Sequence, residues 1–254
     1  SCSMRLVSVV ALALGWLLAF PLAAQPNVVV IMADDLGFGD VGYNGSEIQT
    51  PHLDHLAAEG VRLDRFYTSP LCSPSRAGLL TGRYPQRMGI SEPVTMADTV
   101  GLPPSETTLA EALRDAGYET AMVGKWHLGD ACHQHPMAHG CDSFLGAVSG
   151  GVQYFTRRTS QGLDWWRGYT PEVVPGYTTE LIAAEAVDLL TRPRDGPLFL
   201  YLPFTAPHTP LQAPAADLAR YVHLPEPRRT YAAMVTNLDR GIGQIMDAGE
   251  AAGE

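Results

Sequence analysis

Residues 72 to 76 read Cys-Ser-Pro-Ser-Arg and run on through Ala77-Gly78-Leu79-Leu80-Thr81-Gly82-Arg83-Tyr84-Pro85. A thiol at a helix entrance is placed to do chemistry, because the first turn leaves backbone N–H groups unpaired and sets the positive end of the helix dipole beside it. Ser73 is expected to cap a helix whose first residue is Pro74, and Arg76, one turn on, can point back toward residue 72. An anion bound there would feel both. Asp34-Asp35 are adjacent carboxylates, which repel each other unless a cation lies between them, and oxygen-only ligation suits Ca2+ or Mg2+. The same pair also reads as a solvated loop or a turn cap. Lys125-Trp126-His127-Leu128-Gly129 offers an ammonium for an anionic oxygen and an imidazole for proton relay. Its plainer reading is a solvated lysine and a histidine packed in the core wall. His208 stands in Thr205-Ala206-Pro207-His208-Thr209-Pro210, where flanking prolines give the rigidity a general acid needs, or that of a plain turn.

The elements that must position these groups follow from periodicity. Residues 27–33 form a continuous apolar, β-branched run, expected to be a strand buried on both faces and ending at Asp34-Asp35. Residues 50–60 carry Thr, Pro and a closing Gly in the positions that start and stop a helix. Residues 61–68 alternate as a strand, and 73–81 continue the opening motif as a helix. A helix over 105–116 closed by Gly117, a strand over 119–124, helices over 178–190 and 230–246 and a strand over 198–204 complete the pattern. Residues 130–176, rich in Gly and aromatics, read as irregular. Strands alternating with helices imply an α/β fold with a mostly parallel sheet flanked by helices on both faces. Ligands of such sheets bind beyond the carboxyl ends of the strands, and Asp34-Asp35, Lys125 to His127 and His208 all fall there.

The 254 residues are 46% hydrophobic and 17% charged, which argues for a globular domain and against disorder. A net charge of −10 argues against nucleic acid as a partner but leaves room for a small anion in a local positive pocket. Met4-Arg5, an apolar run over 6–20 and Pro21-Leu22-Ala23-Ala24 have the form of a secretory signal, residues 1–24, cleaved near Ala24, with three residues ahead of the start Met4. A membrane anchor normally needs about 20 apolar residues, so no stable membrane insertion is expected after cleavage. The expected location is periplasmic or secreted. Of the remaining cysteines, Cys132 and Cys141 either pair in that oxidising setting or stay as thiols. His133, His135 and His139 in the same loop suggest a metal site or, more simply, a solvated loop.

The pentad and its extension resemble the signature of type I sulfatases, and Asp34-Asp35-Leu36-Gly37, Lys125 to Gly129 and Thr205 to Pro210 resemble that family's other blocks. Phe144-Leu145-Gly146, Ser149-Gly150-Gly151 and Tyr154-Phe155 look like its middle region, most like arylsulfatases and N-acetylgalactosamine-6-sulfatases. The resemblance implies an alkaline phosphatase-like fold and hydrolysis of sulfate esters, a sulfated carbohydrate or aryl sulfate foremost. It implies that Cys72 is oxidised by a maturation enzyme to formylglycine. One hydroxyl of the hydrated aldehyde would attack sulfur and the other would let sulfate leave, an exit that serine lacks. It further implies that Asp34, Asp35 and residue 72 hold Ca2+ or Mg2+, that Arg76 and Lys125 bind charge, that His127 takes a proton and that His208 protonates the leaving oxygen.

The family completes its metal site with a later Asp-Asn pair followed by a lysine, and no Asp-Asn dipeptide occurs here. On that ground residues 25–254 are expected to be the N-terminal part of the catalytic domain, truncated before its end and holding part of the site. The competing readings are a phosphoester or phosphonate hydrolase of the same fold, a noncatalytic exported metal-binding protein and, ranked last, a thiol hydrolase. Tyr154, Trp165, Trp166 and Tyr169 are available to stack on sugar rings or to pack the long loop.

Overall fold

The computed structural model describes residues 25–95 and 100–252, so the apolar N-terminal segment read as a signal lies outside the described residues. Four strands run parallel at the centre: β1 (Val28–Asp34), β2 (Glu119–Lys125), β3 (Ser143–Ala147) and β8 (Leu198–Pro207). The two-residue strands β6 (Trp166–Arg167) and β7 (Thr170–Pro171) extend the sheet antiparallel, giving the order β1-β8-β2-β3-β6-β7. Strands β4 (Arg158–Thr159) and β5 (Gly162–Leu163) pair separately. The helices are α1 (Pro51–Glu59), α2 (Cys72–Thr81), α3 (Leu109–Asp115), α4 (Thr178–Thr191), α5 (Ala215–Leu218) and α6 (Arg228–Ala251).

The strand period of two sorts the core into two layers. Leu198, Leu200 and Leu202 of β8, with Ala121 and Val123 of β2, pack in one layer with residues of α4 and α6 such as Ile182, Ala186, Leu238 and Ile242. Phe199, Tyr201 and Met122 point the other way, toward Ala77 and Leu80 of α2 and Ala110 of α3. All ten residues of β8 are buried, as a central strand covered on both faces requires. Each such large apolar side chain contributes about 1.5–3 kcal/mol through burial.

Helix starts are secured by contacts far apart in sequence as well as near. Thr108 and Glu111 form a capping box on α3. Helix α1 has no side-chain cap from Thr50; Asp239 of α6 supplies it instead, accepting from the backbone N–H groups of Leu53 at 2.8 Å and His52 at 3.3 Å. A buried carboxylate thus sits on the positive end of α1 and ties α1 to α6.

Several expectations need correction. Residues 61–68 are not a strand but an exposed, irregular segment with Val61, Phe66 and Tyr67 largely in solvent. Strand β1 is not buried on both faces: within the described residues it is the edge strand and most of its side chains are half-exposed. The region 130–176 is not wholly irregular, because β3 is a full parallel member of the sheet. The helix expected over 105–116 begins only at Leu109. The histidine loop is solvated only in part, at exposed His133. His135 and His139 are buried, His139 tilted against Trp126 and His135 edge-on to Phe144 and against Tyr169, and burial lowers the His135 imidazole to about 4. Cys132 is an exposed free thiol and Cys141 a buried one, which answers the pairing question for this structure. Among the described residues no helix is long and apolar enough to cross a membrane.

Replacing Asp239 with Ala removes both acceptors from the α1 start. A loss of about 1–2 kcal/mol is expected, read as a lower denaturant midpoint, and an unchanged midpoint would show that the interhelix cap carries no stability.

Candidate active site

Strands β1, β2 and β8 all end at one rim, and each delivers a polar side chain there: Asp34, Lys125 and, one residue past β8, His208. Strand β1 ends with Asp34, buried, after a register irregularity against β8. Strand β2 ends with Lys125, fully buried, whose Nζ donates to Asp34 Oδ2 at 2.5 Å. Arg76, also buried, reaches Asp34 Oδ1 at 3.4 Å and donates from Nη1 to the Lys125 carbonyl at 2.6 Å. Burial alone would raise the Asp34 carboxyl, but the charges of Arg76 and Lys125 and the Lys125 hydrogen bond outweigh it and hold Asp34 below the usual carboxylate range. Two buried cations face one buried carboxylate. Arg76 and Lys125 thus present two cationic groups at the rim to which an anion's oxygens could turn, with Asp35 adding a second carboxylate on the same groove.

Residue 72 opens α2, with Leu71 in the N-cap position. Ser73 therefore does not cap the helix as its sequence position suggested. Its hydroxyl donates to the His127 carbonyl at 2.8 Å and accepts from Val94 N at 2.9 Å. The first turn is braced by Ser75, whose hydroxyl donates to the Ser69 carbonyl at 2.7 Å. Arg76 turns to Asp34 and the Lys125 carbonyl. Cys72 is partly exposed and lines one groove with Asp34, Asp35, Arg76, Phe66 and Tyr67.

Two site residues without glycine's freedom adopt left-handed backbone just past their strands: Asp35 with φ +63° and His127 with φ +58°. Such conformations concentrate where a chain must turn sharply to present a side chain. The Asp35 carboxylate is largely exposed and lies 3.7 Å from His208 Nε2. His208 Nδ1 lies 2.6 Å from the Thr209 carbonyl, and since a carbonyl only accepts, Nδ1 carries a hydrogen and Nε2 is the atom turned to Asp35. The hydroxyl of buried Tyr154 lies 2.8 Å from the carbonyls of both Thr205 and His208, fixing the turn that presents His208. His127 is buried, donates from its backbone to Val148 O and contacts Val94 O through Nε2 at 2.9 Å. Burial, with the nearby charges of Lys125 and Arg76, lowers its imidazole to about 3, so it is neutral at ordinary pH.

The rim therefore gathers Asp34, Arg76 and Lys125 in direct contact, pairs Asp35 with His208, and places Cys72 on the same groove as the carboxylates. The donor chemistry suits a hard divalent cation in part. Asp34 and Asp35 are adjacent oxygen donors at a strand end, whereas Ca2+ takes six to eight oxygens. Among the described residues no group of three or more His, Cys, Asp or Glu side chains could hold a metal ion.

One support was invisible in the sequence. Tyr231, from the first turns of α6, sets its hydroxyl between the Asp40 carboxylate at 2.9 Å and the Asp35 carbonyl at 3.2 Å, and accepts from Gly37 N at 3.3 Å. Arg228 one turn earlier donates to Asp40 and to Glu47. The loop after Asp35 is thus pinned to a helix nearly two hundred residues away, and nothing in the local pattern of either segment announces it.

A family model described as Sulfatase matches residues 26–254. The chain belongs to the sulfatase family. It is 39% identical to mouse (Mus musculus) arylsulfatase J over 236 residues, covering 87% of this chain and 39% of that protein. It is 50% identical to mouse steryl-sulfatase over 143 residues, covering 50% of this chain and 23% of that protein. Among solved structures, Ps i-CgsB in complex with k-i-k-neocarrahexaose superimposes with a TM-score of 0.81 at 34% identity, covering 90% of this sulfatase chain and 56% of that one. The chain thus spans well under two thirds of these relatives. Of the aromatic side chains considered for sugar stacking, Tyr154 and Trp165 are fully buried in the sulfatase core, while Tyr169 is exposed on one face and leans on His135 with the other.

Tyr231→Phe removes the acceptor of the Gly37 amide and a donor to Asp40. Loss of a hydrogen bond of about 1 kcal/mol corresponds to roughly fivefold faster amide exchange. That acceleration is expected at Gly37, measured by hydrogen exchange, with the melting temperature little changed; wild-type exchange there would refute the clamp.

Proposed function

We propose that this protein hydrolyses sulfate esters, with formylglycine derived from Cys72 as the nucleophile-bearing residue. The observation that carries the proposal is the convergence at one strand-end rim of Cys72, Asp34 and Asp35 on a single groove with Arg76, and of Lys125 in contact with Asp34 behind it. The hydrated aldehyde supplies a hydroxyl nucleophile together with a second hydroxyl through which sulfate is released. Asp34 and Asp35 with residue 72 would supply part of the ligands of a divalent cation, Ca2+ before Mg2+, which would polarise a sulfate oxygen and acidify the attacking hydroxyl.

The chain's own residues do the rest. Arg76 and Lys125 sit at fixed positions against Asp34 and meet the charge of the sulfate oxygens without reorganising. His208, oriented through its Nδ1 bond to the Thr209 carbonyl, presents Nε2 beside Asp35 as the group that would pass a proton to the departing alcohol. His127, neutral and buried, takes up the proton released as the site resets. The formylglycine requires a maturation enzyme acting on the Cys72 to Arg76 pentad. A sulfated carbohydrate or aryl sulfate is the substrate class, supported by the carbohydrate complex of the solved relative. The charged start and apolar run of residues 4–24 support export to the periplasm or beyond.

After coexpression with a formylglycine-generating enzyme, mass spectrometry of the peptide containing residue 72 is expected to show the aldehyde in place of the thiol. A thiol throughout would sink the mechanism. Matured protein carrying these residues within the full-length catalytic domain is expected to favour an aryl sulfate over the matched phosphate ester. Cys72→Ala should abolish turnover, and Lys125→Ala should lower kcat by about 10²–10³-fold. Faster phosphate turnover would reassign the protein to phosphoester hydrolysis.

A further inference from the structure

Ser73, Val94 and His127 form a closed ring of hydrogen bonds beside residue 72. The Ser73 hydroxyl accepts from Val94 N at 2.9 Å and donates to His127 O at 2.8 Å, and Val94 O meets His127 Nε2 at 2.9 Å. All three contacts are buried. A carbonyl oxygen has no hydrogen to give, so Nε2 must be the protonated nitrogen of the ring. In a neutral imidazole that leaves Nδ1 as the acceptor. Nδ1 is buried and has no hydrogen-bond partner among the described residues. An acceptor left bare in the interior is unfavourable and calls for a reason.

The ring plane is also fixed. A Cβ at residue 150 would stand 2.4 Å from His127 Cε1 and Nε2, so the loop backbone lies against the imidazole at a distance only glycine permits. With φ of +58° at His127 and a backbone bond from its N to Val148 O, neither end of the residue is free to turn. The imidazole is therefore held in one orientation by contacts that leave a single buried nitrogen, Nδ1, without a partner among the described residues.

We propose that Ser73 and Val94 are positioning residues that lock His127 in the Nε2–H tautomer, making Nδ1 the atom that receives the proton in the sulfatase cycle. Val94 supplies the carbonyl, and Ser73 holds Val94 in place by its N–H while holding the His127 backbone by its carbonyl. The opposite tautomer would put a hydrogen on Nδ1 and abolish the site's acceptor. The second residue of the Cys-Ser-Pro-Ser-Arg pentad thus acts on the base rather than on the helix it was expected to cap. The inference rests on the sulfatase reading for the use of the proton, but the tautomer itself does not.

The test is nitrogen NMR of the imidazoles in protein labelled at histidine with Cys72 unmodified, the His127 signals being assigned by their absence from His127→Gln. Wild type and Ser73→Thr are expected to show His127 protonated at Nε2 and unprotonated at Nδ1, whereas Ser73→Ala gives a mixture of both tautomers. A wild-type Nδ1–H signal, or a Ser73→Ala spectrum matching wild type, overturns the proposal. Should Ser73→Ala not fold, thermal melting of two ring replacements decides. His127→Gln carries an amide N–H where Nε2 lies and should melt near wild type, while His127→Asn, which cannot reach Val94 O, should melt lower; the reverse order overturns the proposal. Failure of the sulfatase reading would appear separately, as an unconverted Cys72 in the mass spectrum.

Discussion

The contact of Lys125 and Arg76 with Asp34 ties together the ends of β1 and β2 and the first turns of α2, and the site exists because those three ends are held in one place. Three charges, each almost fully removed from solvent, are tolerable only because each faces an opposite charge. Removing one would strand the others, so the cluster fixes the approach of helix to sheet as much as it prepares a pocket. Arg76 does both with one side chain, since a second guanidinium nitrogen bonds the Lys125 carbonyl. The core layers supply most of the folding energy without dictating such a geometry; the charge cluster dictates it.

Around that cluster the chain uses sharp turns rather than flexible loops. Asp35 and His127 each leave a strand through a left-handed residue, and His208 leaves β8 through a turn pinned by Tyr154. Gly124, within β2, has φ +135° and lies so close to Pro203 of β8 that a Cβ would fall 2.1 Å from its carbonyl oxygen. The strands that lead to Lys125 and His208 therefore pack with no room for a side chain between them. The loop that carries Asp35 is braced by Tyr231 and Arg228, so the long helix α6 holds α1 through Asp239 and the carboxylate loop through its first turns. One helix sets the positions of two otherwise separate segments.

Within the described residues β1 is the edge of the sheet and half-exposed, and the groove beside it runs from Val30 past Asp34 to the Cys72 helix entrance. Exposed Phe66 and Tyr67 stand along the same groove. The groove is lined by the end of β1 and by residues 66–86, while β2, β3 and β8 lie behind it in the buried part of the sheet. This placement follows from strand order: β8, the last of the four parallel strands in sequence, inserts between β1 and β2 and becomes the buried centre, leaving the earliest strand at the edge.

The sequence by itself determined the α/β class, because uninterrupted β-branched runs and 3–4 apolar spacing are local properties that need no partner to be recognised. It also placed Asp34-Asp35, Lys125 to His127 and His208 at strand ends, since a strand's last residue is visible wherever its apolar run stops. It misjudged what depends on neighbours. The short alternation of 61–68 has no sheet to join, β3 hides in a glycine-rich stretch because only five residues carry it, and β1 reads as central although strand order puts it at the edge. Ser73 reads as a cap because cap residues are judged from their own helix, while its actual partners, Val94 and His127, come from distant segments. Tertiary structure alone decided the direction of Arg76, the pinning of the Asp35 loop by Tyr231 and the protonated nitrogen of His127. Each depends on a hydrogen bond between groups far apart in the chain, and such a bond leaves no trace in the periodicity of either.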